Sequence, residues 1–513
     1  MKHYEGVFLK ERNYLLKILT ISLNNIHGTN YNTDNFKFLL GPWLDEFLKI
    51  YLLREYHMKF IKHQLIIKND TKILIHKDFS DFIINSNNLN FNLNFFSKLQ
   101  KTKNKFVYYL KKNKKINNSI YFRTKIKILF FILKKIINKK TTLLVNSKFD
   151  KFTLIKLFFL SGFKIVPFFH YNIYRSNSSL FKKNFKLRES LEKEIQKHIS
   201  KKYLSKLIID NIPTSYVEDF SNCDKLSKKI YPNKPKTIFT TTSHLDDEIL
   251  KFAILRWSIV KKPKVYISQH GGNYSVSNQF GLGYHDYEIS DKYFTWGYKY
   301  RKKDIPSNVQ QAIAKLNYYK NYKKNFFTFI LGPNIENDFQ RYVYQNVDYD
   351  KLYENRLAFI KNFNNSKNLI FKKYFVKRYS NQDSQSTIKK KLNITNNNIT
   401  NNFQIIFQSK VLIFDYFSTM FFEVINLDIP FIFILDEKNF FFSKIGYDLL
   451  NFLKKNNLLF KSGKEAAIFL NKINDIEVWW QTSIDKNKLN QIKTTVSNVK
   501  FKNLQFWLEQ FKN

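Results

Sequence analysis

Two short polar turns carry the residue types from which group transfer is built. The first closes the stretch KVYISQHGGN, Lys264–Asn273, where an apolar run breaks into His270-Gly271-Gly272. An imidazole placed there can take a proton from an acceptor hydroxyl or balance a phosphate's charge. The adjacent glycines let backbone N–H groups approach an anion closely. The same placement also suits a histidine that satisfies a tight turn. The second turn lies in VLIFDYFSTMFFEVINLDIPF, Val411–Phe431, and carries Asp415, Ser418, Thr419 and Glu423. Hydroxyls beside a helix start bind phosphate, because unpaired N–H groups and the helix dipole both favour negative charge. Glu423, one turn further on, suits ribose hydroxyls. Ordinary capping explains the same residues and is compatible with phosphate binding.

A third polar cluster, Asn24, His27, Gly28 and Asn30, stands near Arg54 and His57 and can line an acceptor site, or serve as a surface loop. Arg378 follows the apolar run Leu369–Val376; it offers a guanidinium to a donor phosphate, or is a solvated strand end. Other patterns fail. Gly281-Leu282-Gly283 lacks the third glycine of a dinucleotide fingerprint, and no phosphate-loop Gly-Lys-Ser/Thr occurs. Asp348-Tyr349-Asp350 has the spacing of a metal-binding pair but reads helical, and no His/Cys group has zinc spacing. Cys223 is the one cysteine, which excludes an intramolecular disulfide and fits a reducing compartment.

The elements around these turns read as α/β. Lys236–Thr240 and Lys264–Ser268 are strands joined by a helix over Leu245–Val260, with Ser243 and Asp246 as its cap. That order implies a right-handed crossover and a parallel sheet. Asp291–Gly297 is the next strand. The apolar runs Thr141–Val145 and Phe163–Phe169 flank a helix at Phe152–Leu160. Strands after Asn325 open a second α/β unit. Tyr14–His57 reads as helical on either side of a polar loop, Asn24–Tyr31, and Gly41-Pro42 marks the start of the following helix. The expected organisation is an acceptor-side domain over 1–300 with a helical N-terminal segment and a linker over 301–324. A donor-binding domain over 325–485 follows, with a C-terminal helix over 486–513 that packs back on the first domain. Polar groups at the carboxyl ends of parallel strands are where such sheets bind ligands. Two such strand ends, far apart in sequence, therefore imply two domains facing each other across a cleft.

The net charge is +45, from 86 Lys+Arg against 41 Asp+Glu. Taken alone it suits a non-catalytic nucleic-acid-binding protein, whose affinity would fall steeply with salt. Lys, Asn, Ile and Phe are inflated together, however, as AT-rich codons produce, and the lysines form scattered runs rather than a recognition stripe. The charge is compatible with phosphate-bearing ligands and with peripheral contact on an acidic membrane surface. Met1–Arg12 lacks the apolar core of a secretory signal, and the windows Ile126–Ile137 and Phe152–Phe169 are too short or too interrupted to span a membrane. A cytoplasmic protein is expected.

Three patches resemble a family of bacterial transferases of surface-carbohydrate biosynthesis. They are LNNIHGTNYNTDNFKFLLGPWLDEFLKIYLLREY at Leu23–Tyr56, YISQHGGNY at Tyr266–Tyr274 with ISDKYFTWGY at Ile289–Tyr298, and DYFSTMFFEVINLDIP at Asp415–Pro430. The third patch is similar to the Asp-Tyr-Ser-Ser turn of the polyol-phosphate transferases of wall teichoic acid synthesis, with Phe417 in place of the first serine. The second is similar to the His-Gly loop of those enzymes and of capsule glycosyltransferases. The resemblance implies a GT-B-like architecture and no obligatory metal. It implies a nucleotide-activated donor contacted by Ser418, Thr419 and Glu423, with His270 at the junction with a glycan or lipid-linked glycan acceptor; Gly271, Gly272, Arg378 and Asp415 complete the donor-binding set expected from the residues themselves. The reaction implied is sugar transfer, or transfer of a polyol phosphate on the same fold. The His-Pro loop of the teichoic-type enzymes is absent, Arg378 falling near its place, so the donor implied need not be a CDP-polyol.

Overall fold

The computed structural model describes residues 2–58, 71–86, 89–100, 106–109, 135–168, 184–277, 282–310, 323–332, 349–372, 402–440, 442–499 and 503–512. A small parallel pair, β1 (Thr71–Leu74) and β2 (Phe106–Tyr109), precedes two larger parallel sheets. The first contains β3 (Thr142–Val145), β4 (Ile165–Phe168), β5 (Thr237–Thr240), β6 (Lys264–Ser268), β7 (Lys292–Thr295) and β8 (Asp304–Pro306), in the order β4-β3-β5-β6-β7-β8. The second contains β9 (Phe326–Ile330), β10 (Leu369–Lys372), β11 (Ser409–Phe414), β12 (Phe431–Ile434) and β13 (Leu459–Phe460), in the order β10-β9-β11-β12-β13. In each, the chain starts near the middle, moves one strand outward, then returns across its first strand. The order therefore reverses between β3 and β5 and again between β9 and β11, which are the positions where doubly wound sheets open a crevice. The architecture is α/β, with two Rossmann-like units.

Strand composition explains the layering. Successive side chains point to opposite faces, and the first sheet buries both. Leu143, Ile238 and Ile267 join one core, with the N-terminal helices. Leu144, Phe239 and Tyr266 join another, with Trp507 and Phe511. Strands covered on both sides read as continuous apolar runs, as VLIF in β11 and FIFI in β12 do.

The N-terminal segment forms two long helices, Lys2–His27 and Thr33–His57, packed through Leu16, Leu19, Leu39, Trp43 and Phe47. Their junction differs from the expected Asn24–Tyr31 loop. Asn24 stays helical, and its side chain closes the helix by accepting from Tyr31 N (3.0 Å) and Thr29 Oγ1 (2.8 Å). Gly28, with φ +63°, then turns the chain in the left-handed region that favours glycine. The second helix begins at Thr33, under an Asn32–Asn35 capping box, and carries Pro42 in its interior rather than at its start. Gly41 is required by proximity: a Cβ there would lie 2.3 Å from Cε1 of His285.

Two further differences concern the joints. Within the stretch expected as linker, Asp304–Pro306 is β8, paired with β7, because Asp304 accepts the N–H groups of Tyr300 and Arg301 and so turns the chain back. The segment expected as one returning helix is two. Lys486–Val496 packs Leu489, Ile492 and Val496 into the core of the second unit, and Asn503–Lys512 packs Trp507 and Phe511 onto the first sheet.

Candidate functional site

The turn after β6 is shaped by Gln269, whose buried side chain donates to Gly271 O (2.7 Å) and accepts from Trp296 N (3.0 Å). The Gln269 carbonyl also accepts from Trp296 Nε1 (3.0 Å), so the loop is pinned to the end of β7. His270 stands next to this anchor with 24 % of its side chain exposed. Its Nδ1 lies 4.0 Å from Oδ2 of Asp286, and Tyr274 Oη lies 3.1 Å from Nε2. Burial pushes the imidazole below its ordinary pKa; Asp286 pulls it back up, His244 and Lys148 push it down, and a bond with the Thr241 backbone raises it. The net direction is downward, so His270 is neutral near pH 7, the state a general base requires.

Asp286 is the centre of a buried group behind His270. Its Oδ1 lies 2.6 Å from His244 Nε2, and both side chains are fully buried. Among the described residues its Oδ2 has no hydrogen-bond partner, and it is the oxygen nearest His270. The neighbouring His285 is also buried; burial, then the Arg12 charge, hold its pKa well below the usual imidazole value. Arg12 reaches this helix, Leu282–Ile289, from the N-terminal segment, pairing with Asp45 (2.5 Å) and Glu288 (2.8 Å). The two long helices thus brace the element that presents Asp286. His244 occupies a short helix, Ser243–Asp246, after β5. The expected continuous helix from Leu245 breaks at Asp247, whose side chain accepts from Leu250 N and caps the longer helix Glu248–Ser258. Sequence reasoning had no signal for His244 or Asp286. A pair 42 residues apart has neither period nor spacing.

At the order reversal of the first sheet, Thr241 Oγ1 donates to Asn146 O (2.6 Å) and Asn146 Nδ2 bonds Thr242 Oγ1, closing the floor beside His270. The second sheet has a corresponding tie, made by Asp415, one of the residues expected to bind the donor. Both Asp415 oxygens are engaged inside the protein, one with Gly332 N (2.5 Å), the other with Arg356 Nε (2.6 Å), and the residue is buried. Arg356 also donates to Gly332 O (3.1 Å). Asp415 therefore joins β9 to β11 across the reversal.

Ser418 caps the short helix Thr419–Val424 by accepting from Phe421 N (3.1 Å), and Glu423 is buried within that helix. Thr419 is partly exposed. The two turns meet here. A Cβ on Gly271 would lie 3.4 Å from Thr419 Oγ1, and one on Gly272 would lie 1.8 Å from Cδ2 of Phe422. The carboxyl edges of both sheets therefore face a common boundary, with His270 and Thr419 on its two sides. Lys372, ending β10 on the second sheet's carboxyl edge, has its ammonium pushed down to about 8 by burial. Arg378 lies outside the described residues.

The expected acceptor cluster is employed elsewhere. Arg54 is fully buried, donating to Asn92 Oδ1 (2.6 Å) with its guanidinium over the Phe96 ring. His27 stacks on Phe220 with ring centroids 4.1 Å apart and bonds Tyr216 O (3.0 Å). Asn24 closes its own helix, and Gly28 and Asn30 form the exposed turn beyond it. Asn24 and His27 end a helix whose other half carries Arg12, about 18–22 Å away at 1.5 Å per residue. Helix termination and aromatic packing explain them, and they are not assigned to the site.

The family described as LIC12162 family transferase matches residues 10–510 of this chain. Two solved structures of the wall teichoic acid polymerase TagF are similar in shape, one of them a single-residue variant. Each is 9% identical and covers 76% of this chain and 94% of its own, with TM-scores of 0.36 and 0.32. No curated protein matches the chain by sequence.

Proposed function

This chain belongs to the LIC12162 family of transferases, and we propose that it moves a sugar from a nucleotide-activated donor onto a bacterial surface-glycan precursor. The observation carrying this reading is the meeting of the His270 turn with the Thr419 turn, at the carboxyl edges of two parallel sheets. In the scheme we infer, the acceptor hydroxyl attacks the anomeric carbon as the bond from that carbon to the donor phosphate breaks. The phosphate leaves with the electron pair, and the hydroxyl proton passes to neutral His270. Asp286 Oδ2, without a hydrogen-bond partner among the described residues, stabilises the imidazolium so formed. The Gly271–Gly272 backbone, Thr419 and Lys372 offer donors and positive charge to the departing nucleotide. No obligatory metal enters this scheme. Contact of the two units around the reacting groups would exclude water and favour transfer over hydrolysis.

A thermal-shift panel of UDP-, GDP-, CDP-, CMP- and TDP-linked ligands, run on the wild type and on His270→Ala, tests this reading. A ligand at about 100 times its Kd adds roughly 2.7 kcal/mol of stability. One nucleotide class should stabilise both proteins while turnover with that donor is lost only in His270→Ala. A panel without any response, or full turnover in His270→Ala, would overturn the proposal. Selective stabilisation by a CDP-polyol would redirect it to polyol-phosphate transfer.

A further inference from the structure

The helix Lys151–Leu160, KFTLIKLFFL, breaks the pattern of an ordinary surface helix, which is apolar on one side and polar on the other. Its inner side is conventional: Leu154 and Leu157 are buried in the core that contains Trp507. Its outer side is apolar as well. Phe152 is 73% exposed, Ile155 53%, Phe159 60% and Leu160 61%, and Phe163 in the following turn is 47% exposed. Phe152, Ile155 and Phe159, at i, i+3 and i+7, share one helix face. The ring of Phe163 lies 5.7 Å from that of Phe159, centroid to centroid, which joins the turn to the stripe. Contiguous exposed apolar surface of this kind marks an interaction site.

The border of the patch selects the partner. Lys148, Lys151 and Lys164 are exposed around it, and Lys156 is exposed within it, between Phe152 and Leu160 on the helix face. The acidic residue in this stretch, Asp150, is engaged as the helix cap, accepting from Thr153 N (3.0 Å) and Thr153 Oγ1 (2.5 Å). Aromatic and aliphatic side chains bordered and interspersed by lysines match the boundary between headgroups and acyl chains of an anionic bilayer. A second copy of the chain fits poorly, because a two-fold contact would set these lysines against their own equivalents. Lys148 also acts electrostatically on His270, so the patch begins beside the carboxyl edge that holds the candidate base. We infer that this face docks the protein on an anionic phospholipid surface, turning the His270 edge toward substrates held at that surface. Among the described residues no helix is long and apolar enough to cross a membrane, so this docking is interfacial.

Flotation with vesicles of phosphatidylcholine, with and without phosphatidylglycerol, tests the inference without reference to turnover, so its outcome is separate from that of the transferase reading. The full chain should float with phosphatidylglycerol vesicles and be released by salt. Phe152→Ser/Phe159→Ser and Lys151→Glu/Lys156→Glu should each weaken binding by about tenfold or more. Val260→Ser, at a residue 92% exposed elsewhere, should change nothing. Thermal melts of the variants should match the wild type, since the substituted side chains are in solvent. Wild type that fails to float, binding retained in both double variants, or binding indifferent to phosphatidylglycerol would each overturn it. So would a wild-type dimer that Phe152→Ser/Phe159→Ser converts to monomer.

Discussion

A histidine at a strand end becomes a base only when its surroundings set its charge. Here burial holds His270 and His285 below the ordinary imidazole pKa. Lowered values in the folded state mean that, below about pH 6.5, the unfolded chain binds protons the folded chain refuses. Both residues therefore contribute stability that is present at neutral pH and lost on acidification. Asp286 works against burial at His270. In Asp286→Asn that upward pull is removed, so the acidic limb of the pH–rate profile should move to lower pH. The imidazolium also loses its counter-charge, so kcat should fall by about tenfold to a hundredfold with KM little changed. An acidic limb that stays in place would separate Asp286 from His270. His270 was legible in sequence because a glycine pair follows a strand. Asp286 and His244 were not, and neither was the internal use of Asp415, since a carboxylate's partners are chosen by folding.

At the level of elements, the two turns are only as well placed as the strands and helices that hold them. Gly272 has no side chain because Phe422 of the opposing short helix occupies that space, its ring fully buried. Gly272→Ala should therefore force the turns apart and cost about 1–3 kcal/mol, measured by denaturant unfolding. A wild-type midpoint would mean that the turns do not press together. Strand–helix–strand order was readable from apolar runs around β5 and β6. The helix break at Asp247 and the interior Pro42 were not, because a cap or a tolerated proline depends on which neighbour takes the exposed N–H and C=O groups.

For the whole molecule, the chain fastens its two units at its C-terminal end. Asn498 N donates to Trp296 O (3.0 Å) in the first unit, while Asn426 of the second donates to Ser497 O (2.8 Å). The last helix then places Trp507, fully buried, among Phe149, Phe239, Phe294 and Phe511. Trp507→Ala should destabilise the first unit by about 3–5 kcal/mol. Calorimetry should then resolve it as an earlier transition, with melting of the second unit little changed. A single unshifted transition would deny this helix its role as a cover for the first sheet.

The sequence alone determined the α/β class, the two parallel units and the two chemical turns, because strand burial and turn chemistry are local and leave apolar runs, glycines and hydroxyls in the residue order. Only the tertiary structure decided which polar groups confront one another. It placed His270 before Asp286 and the neighbouring Gly271 against Thr419, and it turned Arg54, His27 and Asp415 inward. Such pairings join residues tens to hundreds of positions apart, and burial strengthens an electrostatic contact only after the chain has closed around it.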